Sequence, residues 1–384
     1  MLDDSAPEHC IGNREIIRSW IKRGLEVTYI DKAVEDEISN SLPLSSSRNY
    51  FSHLTARPST YRIPGSRNLA LLIGLSLEPE LLFFMDDDIV PHHGEACFFD
   101  WCATNIRGES YIAAPRKRGI CDMSYPNRLL RILERDDWRQ FLSPRGLSAE
   151  PELWFSPANP LWKRDPGGEE QESRASAESE IGACRPKRVL STQFLVIRDR
   201  GGEWLPFPRG HDEDIHWSFL QSAIHGTPLL SVRGVFVQHF PPAVGHLSAE
   251  AIVSDVMGRA ITRAFKKVGP AGTGLAPITS AECFRDVLDV DIREDVFLLL
   301  AIEASLRQKT RTCASDAKAL QTLSKIESTL VDAKNQLQAL NARHFAREWL
   351  SDFDERRSMF SALRRDEGVQ KRIRHVLSGR AVPP

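Results

Sequence analysis

An unbroken apolar run at residues 81–85, Leu-Leu-Phe-Phe-Met, stops at three consecutive aspartates, Asp86, Asp87 and Asp88. A continuous apolar run of this length predicts a central strand that is covered on both faces. Side chains alternate along a strand, so Asp86 and Asp88 are predicted to point to one side and Asp87 to the other. Two carboxylates about 4 Å apart repel by roughly 4 kcal/mol at an effective dielectric near 20. A divalent cation, Mn²⁺ or Mg²⁺, would compensate that repulsion; a solvated acidic turn is the alternative.

The rest of the first half alternates helical and strand patterns, which predicts an α/β fold with a mainly parallel sheet flanked by helices. Ser66 is predicted to cap a helix, and a second helix is predicted from Asp214 to His225 with Gly226 as its stop. Residues 163–187, which are charged and rich in small residues, are predicted to form a mobile loop. Residues 34–65 are polar and are predicted to be irregular. Strands are predicted at residues 27–30, 111–114, 189–197 and 232–238.

Strand patterns end at about residue 275, so we expect a first domain at 1–274 and an α-helical region at 275–384. Within the helical region Leu323, Leu330 and Leu337 lie seven residues apart. Three such heptads fit either a short coiled coil or a packed helical hairpin. These helices are accordingly candidates for self-association or for peripheral contact with a membrane.

The composition of the chain limits the kinds of function and partner that we expect. The formal charge is −2, so the overall charge gives no reason to expect nucleic acid as a partner. Its 7 cysteines include no CxxC pair, which favours reduced thiols. Apolar runs are too short to cross a bilayer, and charged residues stand at Asp3 and Asp4 where a signal peptide would begin. We therefore expect a cytoplasmic protein.

Two further segments contain candidate functional residues. Asp212, Glu213 and Asp214 stand at the start of a predicted helix, where acidic residues either cap free amides and favour the helix dipole, or supply a general base. His239 ends a predicted strand and is followed by Phe-Pro-Pro. A histidine there is either structural or, if the aspartates lie nearby, a ligand that suits Mn²⁺.

In this order, the motifs at 2–5, 67–68, 85–88, 213–214 and 239 resemble those of the GT-A glycosyltransferases, particularly the broad family 2 type, over residues 2–245. The resemblance implies a GT-A, Rossmann-like fold. It also implies a metal-dependent transfer of a sugar from a nucleotide-sugar donor to the hydroxyl of a saccharide, lipid-linked or small-molecule acceptor. Mn²⁺ or Mg²⁺ is the implied cofactor, and inversion is the implied stereochemistry, with a retaining mechanism left open.

The same resemblance assigns roles to individual residues. It implies that Asp86 and Asp88 hold the metal, joined by His239, and that Asp86 and Asp87 lie beside the donor diphosphate. Asp214, with Glu213 beside it, would be the base that receives the acceptor proton. The implied contacts with the nucleotide are Asp3, Asp4, Arg67 and Asn68.

One departure and two alternatives accompany this hypothesis. Members of the family begin with a strand before the early acidic pair, whereas here Asp3 and Asp4 follow Met1-Leu2 directly. We expect either a misassigned start, a fragment, or another segment in the place of that strand. The alternative functions are a catalytically inactive glycosyltransferase-like binding or assembly protein, and a nucleotidyltransferase.

Overall fold

The computed structural model describes residues 7–22, 28–43, 46–56, 63–85, 89–93, 110–118, 184–186, 190, 194–199, 203–239, 248–267 and 317–379, with isolated positions between 285 and 307. The chain divides into two compact units. The first unit contains Met1–Leu82, Arg198–Arg209 and Trp349–Pro384. The second unit contains Phe83–Ile197 and Gly210–Glu348.

Helices and strands alternate only in part of the chain. The helices are α1 (Pro7–Lys22), α2 (Lys32–Ser41), α3 (Ser46–Leu54), α4 (Ile63–Ser76), α5 (Glu213–His225), α6 (Ala249–Lys267), α7 (Ala317–Ala339), α8 (Ala342–Arg365) and α9 (Glu367–Ser378). The strands are β1 (Leu81–Met85), β2 (Ile89–His93), β3 (Tyr111–Arg118), β4 (Cys184–Pro186), β5 (Phe194–Arg198) and β6 (Leu229–His239).

The first unit is built from helices, including two in a stretch that we predicted to be irregular. Helix α2 begins at Asp31, whose carboxylate accepts a hydrogen bond of 3.1 Å from the Val34 amide. Val34 and Ile38, four residues apart, are buried. A capping carboxylate and an apolar pair on one face are sufficient for a short helix once tertiary packing covers that face. The prediction of irregular structure at residues 34–65 is therefore wrong for α2 and α3.

Helix α4 is buried along almost its whole length, and Asn68 is the polar centre of its packing. Asn68 Nδ2 donates to the carbonyl oxygens of Leu54 at 3.3 Å and Phe207 at 3.1 Å. Asn68 Oδ1 accepts from the Phe207 amide at 2.6 Å. The side chain is fully buried. One amide thus joins α4 to the end of α3 and to the segment 203–209.

The C-terminal helices belong to this first unit. Helix α9 packs against α2 and α4. The buried Arg356 of α8 donates from Nε to Asp352 Oδ2 at 2.9 Å and from Nη1 to the Leu54 carbonyl at 3.4 Å. Residues 349–384 therefore group with residues 1–82, which differs from the predicted division at residue 274.

The second unit contains a mixed sheet with the strand order β1-β5-β3-β6-β2, and β4 also pairs with β6. Strand β6 runs parallel to β3 and antiparallel to β2 and β4. The α/β class is confirmed. The sheet is mixed, since β6 has one parallel and two antiparallel pairings.

Strand β1 stands at one end of the described strand order, and the exposed fractions of Phe83 and Met85 are 37% and 59%. The prediction of a central strand covered on both faces is wrong. An apolar run alone does not distinguish a central strand from an edge strand, since both can be β-rich and apolar.

The predicted mobile loop at 163–187 is also corrected in part. Cys184–Pro186 forms β4, in which Cys184 pairs with Val232 of β6. The remainder of that loop lies outside the described residues.

The helices of the second unit end and pack as their sequences indicate. Helix α5 ends at Gly226, whose φ of 66° is the left-handed conformation that glycine adopts readily. In α7 the heptad positions Leu330 and Leu337 are buried, and α7 packs against α6. This intramolecular burial favours packed helices over a coiled coil. Among the described helices, none combines the length and apolar character that crossing a membrane requires.

We predict that Asn68→Ala lowers the free energy of unfolding by about 2–4 kcal/mol, because it removes three buried hydrogen bonds, two to the carbonyl oxygens of Leu54 and Phe207 and one from the Phe207 amide. Asn40→Ala is the matched control, since Asn40 is exposed on α2 and bonds only to Arg48 among the described residues; its effect should stay within about 0.5 kcal/mol. Urea unfolding measures both variants. Equal, small effects would show that the amide of Asn68 does not hold these segments together.

Candidate functional site

The start of α5 is the best-defined group of polar residues at a predicted site. Asp212, directly before the helix, has φ 59° and ψ 22°, a left-handed conformation that costs a non-glycine residue about 1–2 kcal/mol. Its Oδ2 accepts a hydrogen bond of 3.3 Å from Thr262 Oγ1 of α6. The contact with α6 thus helps to hold the turn in a conformation that the isolated chain would avoid.

A second contact joins the same turn to α6. His211 Nε2 lies 3.3 Å from Asp255 Oδ1 and 3.7 Å from Asp212 Oδ1. Asp255 is buried, and its other oxygen lies 3.3 Å from Arg259 Nε. The imidazole therefore lies between two carboxylates, one from the turn and one from the helix.

Gly258 makes this approach of turn and helix possible. A methyl group at Gly258 would lie 2.8 Å from the carbonyl carbon of His211 and 2.9 Å from its Cβ, closer still to the carbonyl oxygen. Two of these three atoms belong to the backbone of His211, which cannot shift as the far end of a flexible side chain can. Only glycine permits α6 to pass so near the turn.

His216, in the first turn of α5, is a buried side chain that also contacts α6. Its Nε2 is 3.0 Å from the Gly258 carbonyl oxygen and 3.0 Å from Thr262 Oγ1. Because a carbonyl only accepts, we assign the ring proton to Nε2. Complete burial lowers the pKa of His216 to about 4, against the opposing hydrogen bond to Gly258 and the charge of Asp214. His216 is neutral at neutral pH.

The two predicted catalytic carboxylates differ in access. Glu213 is buried, with an exposed fraction of 2%. Asp214 is half-buried, and its Oδ1 accepts a hydrogen bond of 2.8 Å from the Ile215 amide. Of these two, Asp214 is the carboxylate that a ligand in solvent can reach.

His239 and the aspartates are related through the sheet. His239 ends β6, and its register partner in the antiparallel pairing with β2 is Ile89. Ile89 directly follows Asp88 in the chain. Asp86, Asp87 and Asp88 themselves lie outside the described residues, as do Asp3 and Asp4.

Arg67 and Asn68 belong to the first unit, whereas Glu213, Asp214 and His239 belong to the second. The guanidinium carbon of Arg67 lies 5.8 Å from the centroid of the Phe207 ring, within cation–π range. The amide of Asn68 is fully used by Leu54 and Phe207, which leaves it no donor for a nucleotide.

Several residues of the α5–α6 network were missed by sequence reasoning. Gly258 gave the clearest available signal, because a glycine inside a helical pattern costs about 1 kcal/mol relative to alanine and so indicates a close contact. Asp255 and Arg259 stand at the i, i+4 spacing of a helical ion pair. His211, His216 and Thr262 carried no signal, since their roles depend on the tertiary contact.

Within the part of the chain that the structure describes, no group of three or more His, Cys, Asp or Glu side chains is arranged to hold a metal ion. No family model, curated protein or solved structure matches the chain.

We predict that acid destabilises this unit through His216. Its pKa is about 4 when folded and 6.5 as the ordinary value, so the unfolded chain binds the proton more strongly. Stability is complete above pH 6.5 and falls as the pH approaches 4, by about 2 kcal/mol between pH 7 and 4.5.

Urea unfolding at both pH values tests this. His216→Gln should remove most of the loss, because glutamine does not titrate. The exposed His344→Gln should keep the full loss of the wild type. An unchanged pH dependence in His216→Gln would contradict the assignment.

Proposed function

We propose that the second unit is the catalytic part of a metal-dependent glycosyltransferase of the GT-A type, which transfers a sugar from a nucleotide-sugar donor to an acceptor hydroxyl. The observation that supports this most strongly is the register of β2 on β6. It pairs His239 with Ile89, the residue that follows the aspartate triplet.

Chain geometry turns this register into a candidate metal centre. Consecutive Cα atoms are about 3.8 Å apart, and antiparallel partners are about 4.5–5.5 Å apart. Since Asp88 directly precedes Ile89, the register makes Asp88 and His239 candidates to bind one ion together. Carboxylate oxygens with one imidazole nitrogen fit Mn²⁺ well and Mg²⁺ less well.

Asp86, Asp88 and His239 are the residues that would hold the cation. When bound there, a divalent cation supplies positive charge that balances the diphosphate of the departing nucleotide. The repulsion among the three consecutive aspartates is the reason that this segment needs such a charge.

Asp214 is the proposed general base. It would accept the proton of the acceptor hydroxyl as that oxygen forms a bond to the anomeric carbon and the bond to the nucleoside diphosphate breaks, with inversion at that carbon. The Ile215 amide donates a hydrogen bond to Oδ1 of this carboxylate, which helps to hold the side chain in place. Since His216 is neutral above about pH 4, it adds no positive charge that would weaken Asp214 as a base.

Glu213 is proposed to assist Asp214 from the neighbouring position in the chain. It is buried beside the proposed base at the first position of α5. Asp3, Asp4 and Arg67 stay as expected nucleotide contacts. Asn68 has a structural part instead, because its amide bonds within the core of the first unit.

We predict that the chain binds UDP or GDP only with Mn²⁺ and that Asp88→Ala weakens this binding at least tenfold, because the cation loses a ligand. Isothermal titration calorimetry with and without Mn²⁺ measures it. Asp354→Ala, which removes an exposed carboxylate from α8, is the control and should bind as the wild type does. Metal-independent binding, or equal binding by both variants, would count against the donor site.

We predict that Asp214→Asn lowers sugar transfer by about 10²–10⁴-fold and leaves nucleotide binding unchanged, because only the proton acceptor is lost. The assay follows release of nucleoside diphosphate from a panel of UDP- and GDP-sugars with Mn²⁺ and simple saccharide acceptors. Asp354→Asn serves as the control. Turnover by Asp214→Asn at the rate of the wild type would rule out Asp214 as the base.

A further inference from the structure

Arg198 ends β5 and belongs to the first unit. Its exposed fraction is 0%, and it is among the largest fully buried side chains. A guanidinium carries five N–H donors and a permanent positive charge, so its burial is costly unless acceptors or an opposite charge accompany it.

Among the residues that the structure describes, no acceptor lies within hydrogen-bond distance of the Arg198 guanidinium. Its Nε, Nη1 and Nη2 atoms are all buried and donate to none of them. The nearest opposite charge is Glu80, whose Oε1 lies 3.8 Å from Nη2, beyond hydrogen-bond distance. A buried charge in this state is strongly unfavourable unless an anion compensates it.

The same unit satisfies another arginine that is equally buried. Arg356 reaches Asp352 at 2.9 Å and the Leu54 carbonyl at 3.4 Å. The contrast shows that burial in this unit does not by itself prevent a guanidinium from finding acceptors. Arg198 differs because none of the described residues places an acceptor within hydrogen-bond distance of its guanidinium.

The exposed side chain of Glu80 lies on the side of Arg198 from which an anion in solvent can approach. Its side chain is 65% exposed, whereas that of Arg198 is 1% exposed. Solvent therefore reaches the carboxylate that lies next to Nη2. If Glu80 rotates outward, an anion of similar size can take its place and approach the guanidinium more closely.

We propose that Arg198 is the binding residue of an oxyanion site that Glu80 covers, and that the ligand is a phosphate group. Phosphate offers two oxygens at the spacing of the guanidinium fork, so it can accept two parallel hydrogen bonds from Arg198. The site lies wholly in the first unit and needs no metal. It is independent of the proposed glycosyltransferase activity.

Thermal unfolding of the full chain in EDTA tests the site, with inorganic phosphate compared against chloride at equal ionic strength. In the wild type we expect a saturable rise of Tm of about 2 °C or more, because phosphate binds the folded chain alone. Arg198→Met should remove the rise. Arg365→Met, which removes an exposed arginine paired with Glu203, should keep it.

Glu80→Gln provides a second test, which holds even if Arg198→Met fails to fold. This variant should strengthen phosphate binding, whereas Arg198→Met should remove it. Without the competing carboxylate, the half-saturating phosphate concentration should fall on the order of tenfold. Repeating the titration with UDP, still in EDTA, distinguishes the sources: a tighter Arg198-dependent response to UDP indicates a nucleotide phosphate, and a response to phosphate alone indicates the free oxyanion. The proposal is overturned if phosphate acts no differently from chloride in the wild type and in Glu80→Gln, or if Arg198→Met responds as the wild type does.

Discussion

The hydrogen-bond ladder of β6 is the constraint on which the second unit depends. This strand pairs with β3 on a parallel side and with β2 and β4 in antiparallel register. A shift of one residue in any of these pairings would turn every side chain of the shifted strand to the opposite face. The ladder therefore fixes where β6 ends, and its last residue, His239, is matched with the residue after the aspartates.

A second constraint fixes the start of α5. The missing side chain at Gly258 lets α6 approach the turn at His211, and Asp212 keeps a left-handed conformation while Thr262 donates to it. Buried His216 bonds to both Gly258 and Thr262 from the other side. The turn, the start of α5 and helix α6 are thus held together by these contacts. They fix the backbone that carries Asp214. Rigid support is what a positioned general base requires.

The sequence predicted the features that depend on interactions between residues close together in the chain. The span of α5, its stop at Gly226 and the α/β class could be predicted because periodicity and a glycine stop signal act within a few residues. The edge position of β1 and the grouping of α8 and α9 with the N-terminal helices could not, since both depend on contacts between distant segments. The polar network around His216 was missed for the same reason.

The central claim is that Asp88 and His239 act on the same cation, and a double-mutant cycle on Mn²⁺ affinity tests it most directly. Mn²⁺ binding would be measured by electron paramagnetic resonance for the wild type, Asp88→Ala, His239→Ala and the double variant. Two ligands of one ion lose affinity non-additively, so the account predicts a coupling energy of about 1 kcal/mol or more. Losses that add to within about 0.5 kcal/mol would contradict a shared metal centre.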